Sequence, residues 1–174
     1  MNDAQRPIAS EETDPRIEFR EVMGLFTTGV CIVSVPAGEQ GVTAMTVNSL
    51  VSVSLEPRLL CWSLQSDASQ FDLYMQAERF AVSILAGDQA ELALRYAARG
   101  DVLLRASDFA QSEGGLPVIS DALGHIECAR WSDFVAGDHT MIFGEVTGLA
   151  PHCPINSTRA PLGFFSGKFC SIDS

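Results

Sequence analysis

The stretch GVTAMTVNSLVSVSLEPRLLCWSL, Gly41–Leu64, alternates apolar and polar residues over VTAMTV and LVSVSL, then turns nearly all apolar in LLCWSL. A period of two marks strands with one buried face, and Val, Leu and Thr dominate all three segments. Glu56-Pro57 supplies a turn between the second and third, so antiparallel hairpins are the economical reading. The stretch TVNSL, Thr46–Leu50, interrupts this regularity with the small polar residues Thr46, Asn48 and Ser49. A good strand is broken there, and the break asks for a reason.

Outward from this stretch, VCIVSV with a turn at AGEQG precedes it, and RFAVSIL follows. Two longer strands are expected at 121–131 and 139–149, joined by a short connection containing Ala136-Gly137-Asp138, and PLGFFSGKF closes the pattern. Three helices are expected. The first begins at Asp14-Pro15, an N-cap followed by proline, carries Phe19, Val22, Met23 and Phe26 on one face, and stops near Gly29. The second covers Asp67–Glu78 behind an Asp cap, and the third runs from Asp88 to Gly100. Residues 101–117, with Gly114-Gly115, read as a surface excursion. Many short strands with few helices predict a mainly β fold: a closed or partly closed antiparallel barrel with peripheral helices, not βαβ units. Residues 1–14 are expected to form a mobile N-terminal arm and 15–174 a single domain.

The chain carries 22 acidic against 11 basic residues, a net charge of −11, and no basic run that could follow a phosphate backbone. Nucleic acid is excluded as a partner, and an anionic ligand has to be held by local donors and a few placed cations against a repulsive field. Neither a signal peptide nor an 18-residue apolar span appears, so no membrane association and a cytoplasmic location are expected. Cys31, Cys61, Cys128, Cys153 and Cys170 are widely spaced in mostly apolar context and read as free thiols.

Several catalytic patterns are missing: GxGxxG after a strand, GxxxxGK[ST], GxSxG, HExxH and CxxC. His125 and Glu127 share one strand face but lack further ligands at metal-site spacing, so no metal is expected. Asp138 and His139 would point to opposite faces of an extended strand, which does not make a charge pair. A borrowed cofactor is the better route to enzymatic chemistry. The remaining polar residues, Thr46, Asn48, Ser49, Ser63, Gln65, Ser66 and Ser69, cluster where strands end. Such groups can bind a phosphate or the polar edge of a heterocycle, and they also occupy ordinary turns.

The blocks FREVMGLFTTGVCIVSV, GVTAMTVNSLVSVSLEPRLLCWSL, RFAVSILAGDQAELA and GDHTMIFGEV, in that order, resemble the flavin reductase family with its FMN-binding split β-barrel. The resemblance spans roughly residues 17–170 and rests most on T-x-N-S before S-V-S-L-x-P, with G-D-H-T about ninety residues later. It implies a homodimer that binds FMN or FAD, takes hydride from NADH or NADPH, and hands reduced flavin to a flavin-dependent monooxygenase. It also implies that Thr46, Val47, Asn48 and Ser49 lie against the isoalloxazine ring, with Ser63, Leu64 and Gln65 along the ribityl chain. Ser66 and Ser69 would then lie near the phosphate, where Asp67 either turns away as a helix cap or weakens phosphate binding. By the same resemblance His139 stands near flavin and nicotinamide as the catalytic residue, and Phe165 and Lys168 flank the cofactor. A flavin-binding electron carrier or storage module without nicotinamide oxidation is the alternative.

Overall fold

The computed structural model describes residues 14–97, 103–151 and 159–172. The N-terminal arm, apart from Asp14, the Gly100 helix stop and Cys153 lie outside them. In chain order the elements are α1 (Pro15–Gly24), β1 (Thr28–Gly29), β2 (Cys31–Pro36), β3 (Val42–Val47), β4 (Val51–Leu55), β5 (Arg58–Gln65), α2 (Phe71–Gln76) and β6 (Arg79–Ile84). They continue with α3 (Ala90–Ala97), β7 (Phe109–Gln111), β8 (Pro117–Ile119), β9 (Gly124–Ala136), β10 (His139–Pro151), β11 (Leu162–Phe165) and β12 (Lys168–Ser171).

The main sheet has seven strands in the order β3-β2-β6-β9-β10-β5-β4, every neighbouring pair antiparallel. Its two edge strands, β3 and β4, are consecutive in the chain and joined only by Asn48-Ser49-Leu50. Laid flat, the edges of a seven-stranded sheet stand about 29 Å apart. The four residue steps from Val47 to Val51 reach at most about 14 Å. The sheet therefore curls until its edges approach, and since β3 and β4 do not pair, the resulting barrel keeps a seam at TVNSL. The polar break in the sequence is that seam.

Two apolar cores flank the curled sheet. One centres on Trp62, whose ring meets Tyr74 edge-on at 5.5 Å and Phe80 at 6.1 Å, with Val33, Leu64 and Ile142 around them. The other lies beneath α3 and contains Ile32, Leu85, Tyr96, Ile119 and Leu162. The buried Tyr74 hydroxyl donates to the Val33 carbonyl at 3.0 Å. Arg130 donates to the carbonyls of Tyr74 and Ala77 and so satisfies the C-terminal end of α2.

Several local expectations change. The first helix starts as expected, Asp14 accepting the Arg16 N–H at 2.9 Å with Pro15 at the first position, but it ends at Gly24 because Thr28–Gly29 are drawn into β1 beside β11. The second helix starts three residues late, with Gln70 rather than Asp67 at its N-cap; Asp67 sits in the preceding turn. The third begins as a 3-10 turn over Gly87–Gln89, where the Gln89 side chain accepts the Ala86 N–H.

The expected surface excursion contains the β7–β8 hairpin, and Leu116, Val118 and Ile119 are buried. This hairpin explains why β2 is buried at every position from Cys31 to Val35: β8 covers the face that would otherwise meet water. Ser34 donates to the Pro117 carbonyl at 2.6 Å, and Ser83 accepts the Ile119 N–H at 3.0 Å. The buried hydroxyls of β2 and β6 are thus satisfied by the hairpin backbone. Among the described residues no three His, Cys, Asp or Glu side chains converge on a metal-sized site. Glu127 is buried, accepts the Gly114 N–H at 3.1 Å and pairs with Arg79 at 3.3 Å.

A polar cluster ties α3 to the loop before β7. Asp108 accepts from Arg95 at 2.6 Å, Tyr96 at 2.7 Å and Ser107 at 2.9 Å. Burial acts to raise its carboxyl, but the bonds from Tyr96, Ser107 and Arg95 prevail and hold it below the usual carboxylate range. A lowered folded-state pKa gives stabilisation that is present above the ordinary value, about 3.9, and lost as pH falls through the lowered one. Asp108→Asn is therefore expected to lose about 1–2 kcal/mol at pH 7. Urea unfolding at pH 7 and pH 3 checks this: the gap from the parent narrows at the lower pH.

Candidate flavin site at the barrel seam

A cavity of about 870 Å³ opens where the sheet edges meet. Its walls come from Phe19, Arg20, Met23 and Gly24 of α1, the following Phe26–Gly29, the seam residues Asn48–Val51, and Cys31, Ile84, Phe164 and Gly167. A smaller recess of about 150 Å³ adjoins it, lined by Val30, Thr46, Val47, Asn48, Ala97, Phe164 and Phe169. The larger cavity is mostly apolar. Burial pushes the Cys31 thiol up to about 12, so it contributes a neutral wall at ordinary pH.

The residues named from the sequence divide by position. Asn48 and Ser49 line the main cavity. The Ser49 hydroxyl also accepts the Ser63 N–H at 3.0 Å, which stitches the seam to β5 where a ladder partner is missing. Thr46 donates its hydroxyl to the Ala93 carbonyl of α3 at 2.8 Å and faces the smaller recess with Val47, whose side chain is buried. Leu64 is fully buried in the Trp62 core, which leaves its backbone as the group able to meet a ligand. Ser69 is exposed. Phe165 and Lys168 pair across the β11–β12 hairpin on an exposed edge, while their neighbours Phe164 and Gly167 form the cavity wall.

The turn carrying His139 is also joined to the end of β5. His139 pairs in register with Gln65, and Ser66 donates its backbone N–H to the Asp138 carbonyl at 2.9 Å. The expectation that Asp138 and His139 point apart is overturned. Asp138 lies in a tight turn after Gly137, whose φ is +64°, so the alternation of an extended strand does not apply. Asp138 Oδ1 and His139 Nδ1 are 2.7 Å apart. The hydrogen bond and charge of His139, with a smaller contribution from Arg20, hold the Asp138 carboxyl below its usual range.

Sequence reading missed the α1 wall. Phe19, Met23 and Phe26 carry the periodicity expected of a core-facing stripe, yet α1 buries none of its residues, and Phe19, Val22 and Phe26 are each 68% exposed. It also missed Thr28, a cavity residue whose hydroxyl is buried without a partner.

The flavin reductase like domain model matches residues 23–173. The FMN reductase (NADH) SmoA of Agrobacterium fabrum is 38% identical over 151 residues, 87% of this chain and 83% of that protein. HsaB of Rhodococcus jostii, the reductase subunit of a flavin-dependent monooxygenase, is 31% identical over 171 residues, 95% of this chain and 82% of that protein. The structure of the Streptomyces globisporus NADH:FAD oxidoreductase SgcE6, in complex with NAD and FAD fragments, superposes with a TM-score of 0.81 at 34% identity, covering 92% of this chain and 96% of that one. The antiparallel sheet closed at a seam is thus the split barrel shared with these reductases, and the chain belongs to the flavin reductase family.

Proposed function

We propose that this chain is an NADH-dependent flavin reductase that binds FMN or FAD at the seam and delivers the reduced flavin to a flavin-dependent monooxygenase. The observation that carries this reading is the 870 Å³ cavity at TVNSL, a volume within the range of small-molecule sites. Its lining suits a flat heterocycle with one polar edge: apolar walls from Cys31, Ile84 and Phe164, and polar groups at Asn48, Ser49 and Thr28. An unpartnered buried hydroxyl such as that of Thr28 costs about 1–3 kcal/mol, which a ligand acceptor or donor would recover.

When bound, a flavin supplies the two-electron acceptor for the nicotinamide hydride. The protein's contribution is alignment and the exclusion of water. Phe19, Met23 and Phe26 cover the cavity from one side, and Ile84 and Phe164 wall it from the other. With Asp138 ionised, its carboxylate accepts the His139 Nδ1–H and favours the tautomer whose Nε2 is bare, able to accept a hydrogen bond or a proton from a ligand. NADH is the co-substrate in the names of SmoA and SgcE6, and a monooxygenase is the partner in that of HsaB, which supports both here.

The reading includes a homodimer. The exposed apolar face of α1, together with Val51, Val53 and Leu55 of β4, supports burial against a second copy. No helix among the described residues is long and apolar enough to cross a membrane, and a cytoplasmic location is part of the reading.

The test is anaerobic mixing of protein with catalytic amounts relative to FMN or FAD, plus NADH, followed at the flavin absorption band. Rapid bleaching over many turnovers is expected. Flavin binding without bleaching would overturn the reductase and leave an electron carrier. Sedimentation of the same sample is expected to show two chains of 18.7 kDa each.

A further inference from the structure

Arg20 is the one charged side chain among the described residues that line the cavity. It lies on α1 between Phe19 and Met23, in a protein whose net charge of −11 repels any anion approaching from solution. Most described arginines already have a carboxylate: Arg16 with Asp14, Arg79 with Glu127, Arg95 with Asp108, Arg130 with Asp133 and Arg159 with Asp88. No ion pair within 4 Å among the described residues includes Arg20.

Its charge does act on Asp138. Asp138 in turn accepts the Ser66 N–H through its carbonyl and holds His139 through its carboxylate.

We propose that Arg20 recognises the phosphate of the bound nucleotide and makes the site select phosphorylated ligands over their dephosphorylated forms. This rests on the flavin-site reading and adds the group that handles the ligand's charge. A guanidinium offers a planar fork that matches phosphate oxygens, and charge-assisted bonds are about twice as strong as neutral ones. The apolar walls suit a ring, and Arg20 is the counter-charge available among the lining residues. Arg20 is exposed, so its substitution removes no packing from the core of the chain.

The experiment compares binding of FMN and riboflavin, which differ only by the phosphate, through quenching of flavin fluorescence. The proteins are the parent chain, Arg20→Gln, Arg20→Glu and Arg20→Lys. The parent is expected to prefer FMN by about ten- to hundredfold. Arg20→Gln removes most of that preference by weakening FMN far more than riboflavin, Arg20→Glu reverses it, and Arg20→Lys keeps part of it. Raising the salt concentration weakens FMN binding by the parent and has little effect on Arg20→Gln.

A second arm measures ADP-ribose by calorimetry. If the FMN preference persists in Arg20→Gln but ADP-ribose binding weakens about tenfold or more, the phosphate recognised is that of the nicotinamide nucleotide, and the proposal stands on that source. Unchanged binding of both ligands in Arg20→Gln overturns it. Failure of the parent to bind riboflavin or FMN overturns the flavin-site reading instead.

Discussion

Trp62→Ala is expected to destabilise the protein by about 3–5 kcal/mol, the largest single loss in the apolar core. Trp62 is 1% exposed and sits on β5 beside Ile142 of β10, with the rings of Tyr74 and Phe80 against it edge-on. Neither ring can move in to fill the space. Tyr74 is tethered by its hydroxyl to Val33, and Phe80 lies on β6 between β2 and β9. The backbone of Gly144 also closes on Phe80, since a Cβ there would come within 2.5 Å of the ring.

One effect opposes the loss. The Trp62 indole N–H is buried without a hydrogen-bond partner, and removing it returns about 1–3 kcal/mol. The cavity left by a whole indole exceeds that recovery. Trp62→Phe, which removes the orphan donor and keeps most of the ring, is therefore expected to cost much less than Trp62→Ala. Urea unfolding of both variants checks the order, and equal losses would mean that a phenyl ring does not preserve the packing at this site.

His139→Ala is expected to slow NADH oxidation at saturating flavin by about a hundredfold, the size of effect typical of a positioned proton-transfer group. Flavin affinity should change by much less, because the apolar walls of the cavity do not include His139. The side chain contributes little to stability. It is 40% exposed, and its partner Asp138 is 87% exposed, so the bond between them adds little to folding. Stopped-flow reduction with the flavin-binding titration done on the same variant separates the two quantities. Unchanged reduction would remove His139 from the reaction, while equal losses in binding and reduction would make it a binding residue.

Much of this fold is legible from local chemistry. Asp14-Pro15 announces a helix start because an N-cap acceptor and a proline at the first position solve the same end problem, and the structure uses both. The alternation in VTAMTV and LVSVSL forecasts the strands β3 and β4, because side chains in a strand point to opposite faces by geometry alone, but the buried face expected of β4 is absent: Val51, Val53 and Leu55 are exposed. The Asn48-Ser49 break is visible as well.

What covers each element is not legible. The stripe of Phe19, Met23 and Phe26 has helical spacing whether it faces a core, a ligand or another chain, and here it walls the cavity and remains exposed. A two-residue choice between Phe164 and Phe165 depends on strand register with β1 and β12, which no local pattern specifies. Asp138 and His139 pair because a turn, not a strand, carries the aspartate, and the difference rests on the single left-handed residue Gly137.

The sequence by itself determined that this chain folds as an antiparallel β protein, that its strands break at TVNSL, and that an anion would need placed cations to bind. Those are properties of neighbouring residues and of total charge. Only the tertiary structure decided that the break is a seam. Three residues must span the two edges of a seven-stranded sheet, and that curls the sheet on itself. The same closure brings Arg20, Thr28, Asn48 and Phe164, which are far apart along the chain, around one cavity.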